Sequence, residues 1–144
     1  MIFKLNTIFF IILAYSQSIE CARVALCTVA TGKYARFVKN LVETTNKNFL
    51  KNHQVTIFIL TDQLIPIDGN NIVTIRWPHK RAPFAKIMRF EAYKNICPQL
   101  AEFDYIYACD ANLIFTEKIG DEILTKAVGV ICPKNNQPLF KHNH

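Results

Sequence analysis

The sequence predicts an α/β fold in which one sheet is covered by helices on both faces. Three observations predict it. Short apolar runs rich in β-branched residues alternate with segments whose apolar residues recur at helical spacing. Several of those runs end abruptly in polar residues, as strands do where they meet a sheet edge. At 144 residues the chain is long enough for one core and too short for two ordinary domains.

Residues 24–29, Val-Ala-Leu-Cys-Thr-Val, read as a buried strand that closes at Thr31-Gly32. From Tyr34 to Leu50 the apolar residues Phe37, Val38, Leu41, Val42 and Phe49 fall on one helical stripe. Arg36, Lys39, Lys47 and Lys51 lie on other faces. Residues 55–61 form a second strand and residues 72–77 a third, joined through the turn-rich Asp68-Gly69-Asn70-Asn71. Pro78 and Pro83 bound an irregular basic segment. Phe84, Ile87, Met88, Ala92 and Ile96 mark a second amphipathic helix closed by Pro98. Residues 103–109 give a fourth strand ending at Asp110, and residues 113–115 and 128–132 are further strand candidates. No repeat, linker or second domain is visible.

Composition narrows the function classes. Hydrophobic residues make up 51% of the chain and charged residues 19%, which excludes a disordered or low-complexity protein. Seventeen Lys and Arg against eleven Asp and Glu give a net charge of +6. The basic residues form no run that reads as a nucleic-acid patch, so no nucleic-acid partner is expected. The excess reads as solvated surface, with a few positive groups available to a phosphate-bearing ligand.

Residues 1–18 have the pattern of a secretory leader: Lys4 in a short basic start, then the apolar run from Ile8 to Tyr15, then small residues at Ala14, Ser16 and Ser18. It is either a cleaved signal peptide or a short signal anchor, and residues 19–144 form the domain. Cys21, Cys27, Cys97, Cys109 and Cys132 match no zinc spacing, and their number is odd. No pairing follows from the sequence.

Polar strand ends at Thr31-Gly32-Lys33, Thr61-Asp62 and Asp110-Ala111-Asn112 would share the carboxyl edge of the sheet, where open α/β sheets bind ligands. Thr31-Gly32-Lys33-Tyr34 joins a strand to a helix, and its N–H groups could hold an anion. Asp110 and Asn112, one residue apart after a buried strand, suit a diphosphate with a hard divalent cation completed by substrate oxygens. His53, His79, His142 and His144 share no ligand spacing and read as solvated. No Gly-x-Ser-x-Gly or Cys/His nucleophile arrangement occurs.

Six segments together resemble the glycosyltransferases of family 6, which include the blood-group A and B transferases and the α-1,3-galactosyltransferases. They are Thr31-Gly32-Lys33-Tyr34, Leu41-Val42-Glu43-Thr44, Thr61-Asp62-Gln63, Met88-Arg89-Phe90-Glu91, Asp104 through Asn112, and Gly120-Asp121-Glu122-Ile123-Leu124-Thr125. They occur in the family's order with similar spacing over most of the mature chain.

The resemblance implies a GT-A type, Rossmann-like fold and retaining transfer of galactose or N-acetylgalactosamine from a UDP-sugar to a glycan acceptor. It implies that Val29, Ala30 and Thr31 line the uridine and that Tyr34 stacks on or bonds the base. Asp110, Ala111 and Asn112 would hold the diphosphate, and Arg89 would reach the donor sugar or the aspartate. Manganese is the implied cofactor, with Asp110 and Asn112 as ligands. Asp-x-Asn stands between the Asp-x-Asp of animal members and the Asn-x-Asn of bacterial relatives that work without metal. The implied location is the Golgi lumen or membrane of the secretory pathway, with secretion if the leader is cleaved. The family's acceptor half and catalytic glutamate are expected downstream of His144, so the chain reads as a truncated, UDP-sugar-binding half and no catalytic residue is assigned in it. Such a fragment is expected to bind donor without transferring it. The alternative is a secreted non-catalytic UDP-sugar-binding module or a truncated gene product.

Overall fold

The structure, a computed structural model, describes residues 21–81 and 84–127. Four strands form where the apolar runs predict them: β1 (Arg23–Val29), β2 (Gln54–Thr61), β3 (Ile72–Arg76) and β4 (Tyr105–Asp110). They make one parallel sheet in the order β3-β2-β1-β4. The fold is therefore α/β, as expected. β1 pairs along its length with β2 and along most of it with β4, so it is the central strand. Its side chains alternate between two apolar layers, which is why residues 24–28 are all buried.

Helix α1 (Val38–Asn48) covers one face. Its stripe of Val38, Leu41, Val42 and Thr45 is buried, and the Thr45 hydroxyl donates to Leu41 O at 2.7 Å. Leu41 packs with Val24, Leu26, Phe49, Leu50 and Phe115, while Val38 and Val42 pack with Ile57, Ile59 and Ala111. Three short helices follow β3, α2 (Phe84–Ile87), α3 (Arg89–Asn95) and α4 (Cys97–Leu100), and α3 and α4 cover the opposite face. Ala92, Ile96 and Leu100 there meet Ala25, Cys27, Phe58 and Leu60 of the sheet.

Three details differ from the sequence reading. The first helix opens as a 3-10 helix, Gly32–Phe37, because Gly32 turns the chain at φ +56° and Tyr34 N–H bonds back to Thr31 O. The second helix is divided, and Pro98 starts α4 rather than closing α3, since proline fits a first turn that needs no N–H partner. Residues 113–115 are not a strand. Leu113 N–H turns back to Asp110 O at 3.0 Å, and Phe115 is buried against Phe49 with ring centroids 4.9 Å apart. The expected leader and the expected strand at residues 128–132 lie outside the described residues.

His53 was expected in solvent, yet its side chain is 1% exposed. Its Nδ1 accepts from Ala22 N–H at 3.1 Å and its Nε2 lies 2.9 Å from Asp121 Oδ1, tying the start of β1 to the 3-10 helix Asp121–Ile123. A ring that accepts at Nδ1 carries its proton on Nε2 and donates it to the carboxylate. The nearby parallel bridge between Phe49 and Ile119 closes the same end of the sheet.

Leu26 is 1% exposed at the centre of β1. Truncation to alanine should cost about 2–5 kcal/mol of unfolding free energy, whereas Leu113→Ala, 40% exposed, should cost well under half of that. Guanidinium unfolding of both variants checks this ordering, and equal losses would mean that the core is misassigned.

Candidate functional site

The chain builds β2 and β3 to one side of β1 and then crosses to place β4 on the other. The connections therefore diverge at the carboxyl ends of β1 and β4, where Val29 stands opposite Asp110. That divergence leaves a crevice. Here it is a cavity of about 590 Å³ lined by Val29, Thr31, Tyr34, Arg89, Asp110, Ala111 and Asn112, among others. Seven of the eight nucleotide-sugar residues named from the sequence thus meet at one place. Ala30 does not line it. Its side chain is wholly buried in the α1-facing core, and its N–H bonds Leu60 O at 2.8 Å.

The Thr31-Gly32 turn is held by the end of β2. Asp62 Oδ1 accepts from Gly32 N–H at 2.8 Å, and Gln63 Nε2 donates to Gly32 O at 2.9 Å. Tyr34 N–H is taken by Thr31 O at 3.2 Å. Two of the N–H groups expected to face an anion are therefore already bonded within the protein.

His79 is exposed, as the sequence reading has it, and its ring nonetheless contacts the β1 turn. Its Nδ1 lies 3.0 Å from the Thr31 hydroxyl, and its ring sits where a Cβ on Gly32 would be, 2.8 Å from Cε1. This contact brings residues 79–81 to the β1 turn, where Lys80 and Arg81 line the cavity beside Lys33. The sequence marked this segment as basic and irregular but gave no sign that it folds onto the β1 edge.

Asp110 ends β4, and its Oδ1 lies 3.0 Å from Arg89 Nη1 at the start of α3. Among the described residues, four cationic side chains, Lys33, Lys80, Arg81 and Arg89, line the cavity with a single carboxylate, Asp110. The Cys109 thiol also lines it, and burial, aided by the Asp110 charge, pushes its pKa up to about 12. Burial thus favours its neutral thiol form near pH 7. Burial likewise raises the Tyr93 phenol well above its ordinary range, so it remains a donor, its hydroxyl lying 3.5 Å from Cys27 O.

Asp110 and Asn112 are the pair to which the resemblance gives manganese. Of the two only Asp110 carries charge, and Arg89 neutralises it. Among the described residues no three His, Cys, Asp or Glu side chains gather as a metal site. Hard divalent cations take carboxylate and neutral oxygens and are often completed by substrate phosphates, but one carboxylate already paired with Arg89 and one amide do not by themselves fit a resident divalent ion.

A parallel sheet with a cationic cavity at its switch point has the architecture of the α/β domains that hold phosphate-bearing ligands at the strand ends. Comparison with known proteins gives the family. The model for glycosyltransferase family 6 matches residues 11–138, and the chain belongs to that family. The globoside alpha-1,3-N-acetylgalactosaminyltransferase 1 of Canis lupus familiaris is 28% identical over 119 residues, covering 76% of this chain and 34% of the relative. The histo-blood group ABO system transferase 2 of Rattus norvegicus is 26% identical over 120 residues, covering 76% of this chain and 36% of the relative. The human globoside enzyme is 24% identical over 119 residues. The chain spans about a third of the length of the curated relatives it matches. The resemblance read from the six sequence segments is thereby established.

The contact between Gly32 and His79 can be tested by a double-mutant cycle. Gly32→Ala should destabilise the protein by about 1–2 kcal/mol from positive φ alone, with more from the ring contact. In a His79→Ala background only the φ cost should remain. Identical losses in the two backgrounds, measured by thermal unfolding, would show that His79 does not sit over the turn.

Proposed function

We propose that the chain supplies the donor-binding part of a hexosyltransferase that moves galactose or N-acetylgalactosamine, with retention, from a UDP-sugar to a glycan hydroxyl. The observation that carries this reading is the gathering of Thr31, Tyr34, the Arg89–Asp110 pair and Asn112 around one cavity at the switch point. Family membership and the printed activities of the relatives point the same way.

In this reading the fold is of the GT-A type. Val29 and Thr31 face the uridine, and Tyr34, 44% exposed at the rim, offers its ring to the base. Ala30 acts from beneath, by fixing the backbone of the β1 edge to β2. Asp110 orients Arg89 toward the donor sugar, and Asn112 presents an amide to the diphosphate. The acceptor is a glycan, and the enzyme works in the lumen or at the membrane of the Golgi. Among the described residues no helix is long and apolar enough to cross a membrane.

Titration calorimetry of the full chain with UDP and GDP tests the reading. UDP should bind at least about tenfold more tightly than GDP, and Arg89→Ala should weaken UDP-galactose more than UDP, because the guanidinium reaches the sugar. A folded protein that binds neither nucleotide, or both equally, would contradict it.

A further inference from the structure

The cavity carries more positive charge than a uridine and a sugar need, and three of its cations have no role in the reading above. We propose that Lys33, Lys80 and Arg81 neutralise the diphosphate of the nucleotide sugar in place of a divalent cation, so that this site binds its donor without metal. The inference rests on the cavity being the nucleotide-sugar site.

Four observations converge on it. Lys33, Lys80 and Arg81 line the same cavity as Asp110 and Asn112, so they share a space with the groups that would face the diphosphate. Their position is fixed rather than incidental. Trp77 N–H bonds Thr61 O at 2.9 Å at the end of β3, and two residues later His79 is anchored on Thr31 at 3.0 Å. Lys80 and Arg81 follow at once, and Gly32 leaves the room that the anchor requires. The Gly32 and Tyr34 N–H groups are bonded internally, which removes them as anion donors.

The last observation is the charge of the Asp-x-Asn pair. Arg89 neutralises Asp110, and Asn112 has no charge, so nothing there would hold a divalent ion before the nucleotide arrives. A guanidinium offers paired donors to phosphate oxygens and an ammonium a compact point charge. Three uncompensated cations match a doubly anionic diphosphate linkage with one to spare, whereas adding a divalent ion would overload the same cavity with positive charge. Electrostatic stabilisation of the diphosphate is therefore a property of this chain's own side chains.

Calorimetry with UDP as probe and uridine as the diphosphate-free control decides it, on the full chain in EDTA and again with manganese. The UDP dissociation constant should agree within about threefold between the two conditions. Lys80→Ala and Arg81→Ala should each weaken UDP about tenfold in EDTA and leave uridine unchanged, with Arg81→Lys recovering part of the loss. Both side chains are exposed, so the variants should fold. UDP binding that needs manganese, or variants that lose UDP and uridine alike, would overturn the charge assignment while leaving the nucleotide site standing. Failure of UDP and uridine alike to bind in both conditions would overturn the site itself.

Discussion

β1 is hydrogen-bonded to a parallel neighbour on each side and buried on both faces, and the position of every other functional element follows from that. Its ladder to β2 runs from Arg23 to Val29, and its ladder to β4 from Val24 to Val29. A strand held in this way cannot slip by one residue without moving Val24 and Leu26 from the α1 layer into the α3 layer, so its register is strongly determined. The fixed register sets Val29 opposite Asp110, and the chain's change of direction at β1 opens the crevice between them. The core and the site are thus two ends of one constraint.

At the carboxyl end, polar groups stitch separate elements into one rim. Asp62 and Gln63 hold the Gly32 peptide, His79 rests on Thr31, and Arg89 joins α3 to the end of β4. Each contact joins residues remote in sequence, so the rim forms only when the sheet does. At the amino end, His53 does comparable work between Ala22 and Asp121, but the cavity of about 350 Å³ there is lined by Asn46, Lys51, Asn70 and Asn71, without an arginine or a carboxylate. The charge needed for a diphosphate is gathered at one end alone.

Much of this was legible in the sequence because burial on both faces writes a strand as a continuous apolar run, and β1 and β2 are written that way. The polar ends of those runs located the edge, and the family segments named seven residues that line the cavity. What was not legible depends on long-range contacts. Nothing in the spacing of His53 or His79 shows that one is enclosed by residues 31 and 68 positions away and the other lies 48 positions from its threonine. Lys80 and Arg81 were seen as a basic segment, but the segment's docking depends on the missing side chain at Gly32. The apolar triplet at residues 113–115 misled because Phe115 is used to plug the α1 layer rather than to extend a ladder. The resemblance assigns Ala30 to the ligand site with its neighbours, and in the structure its side chain lies in the α1-facing core.

The central claim is that a nucleotide diphosphate is held at the carboxyl edge between β1 and β4. Backbone amide resonances followed during titration with UDP test it most directly. The account predicts shifts concentrated at residues 29–34, 79–81, 89 and 110–112, with those of His53, Asn70 and Asn71 unchanged. Shifts centred on the amino-end cavity instead, or spread evenly over the sheet, would contradict it.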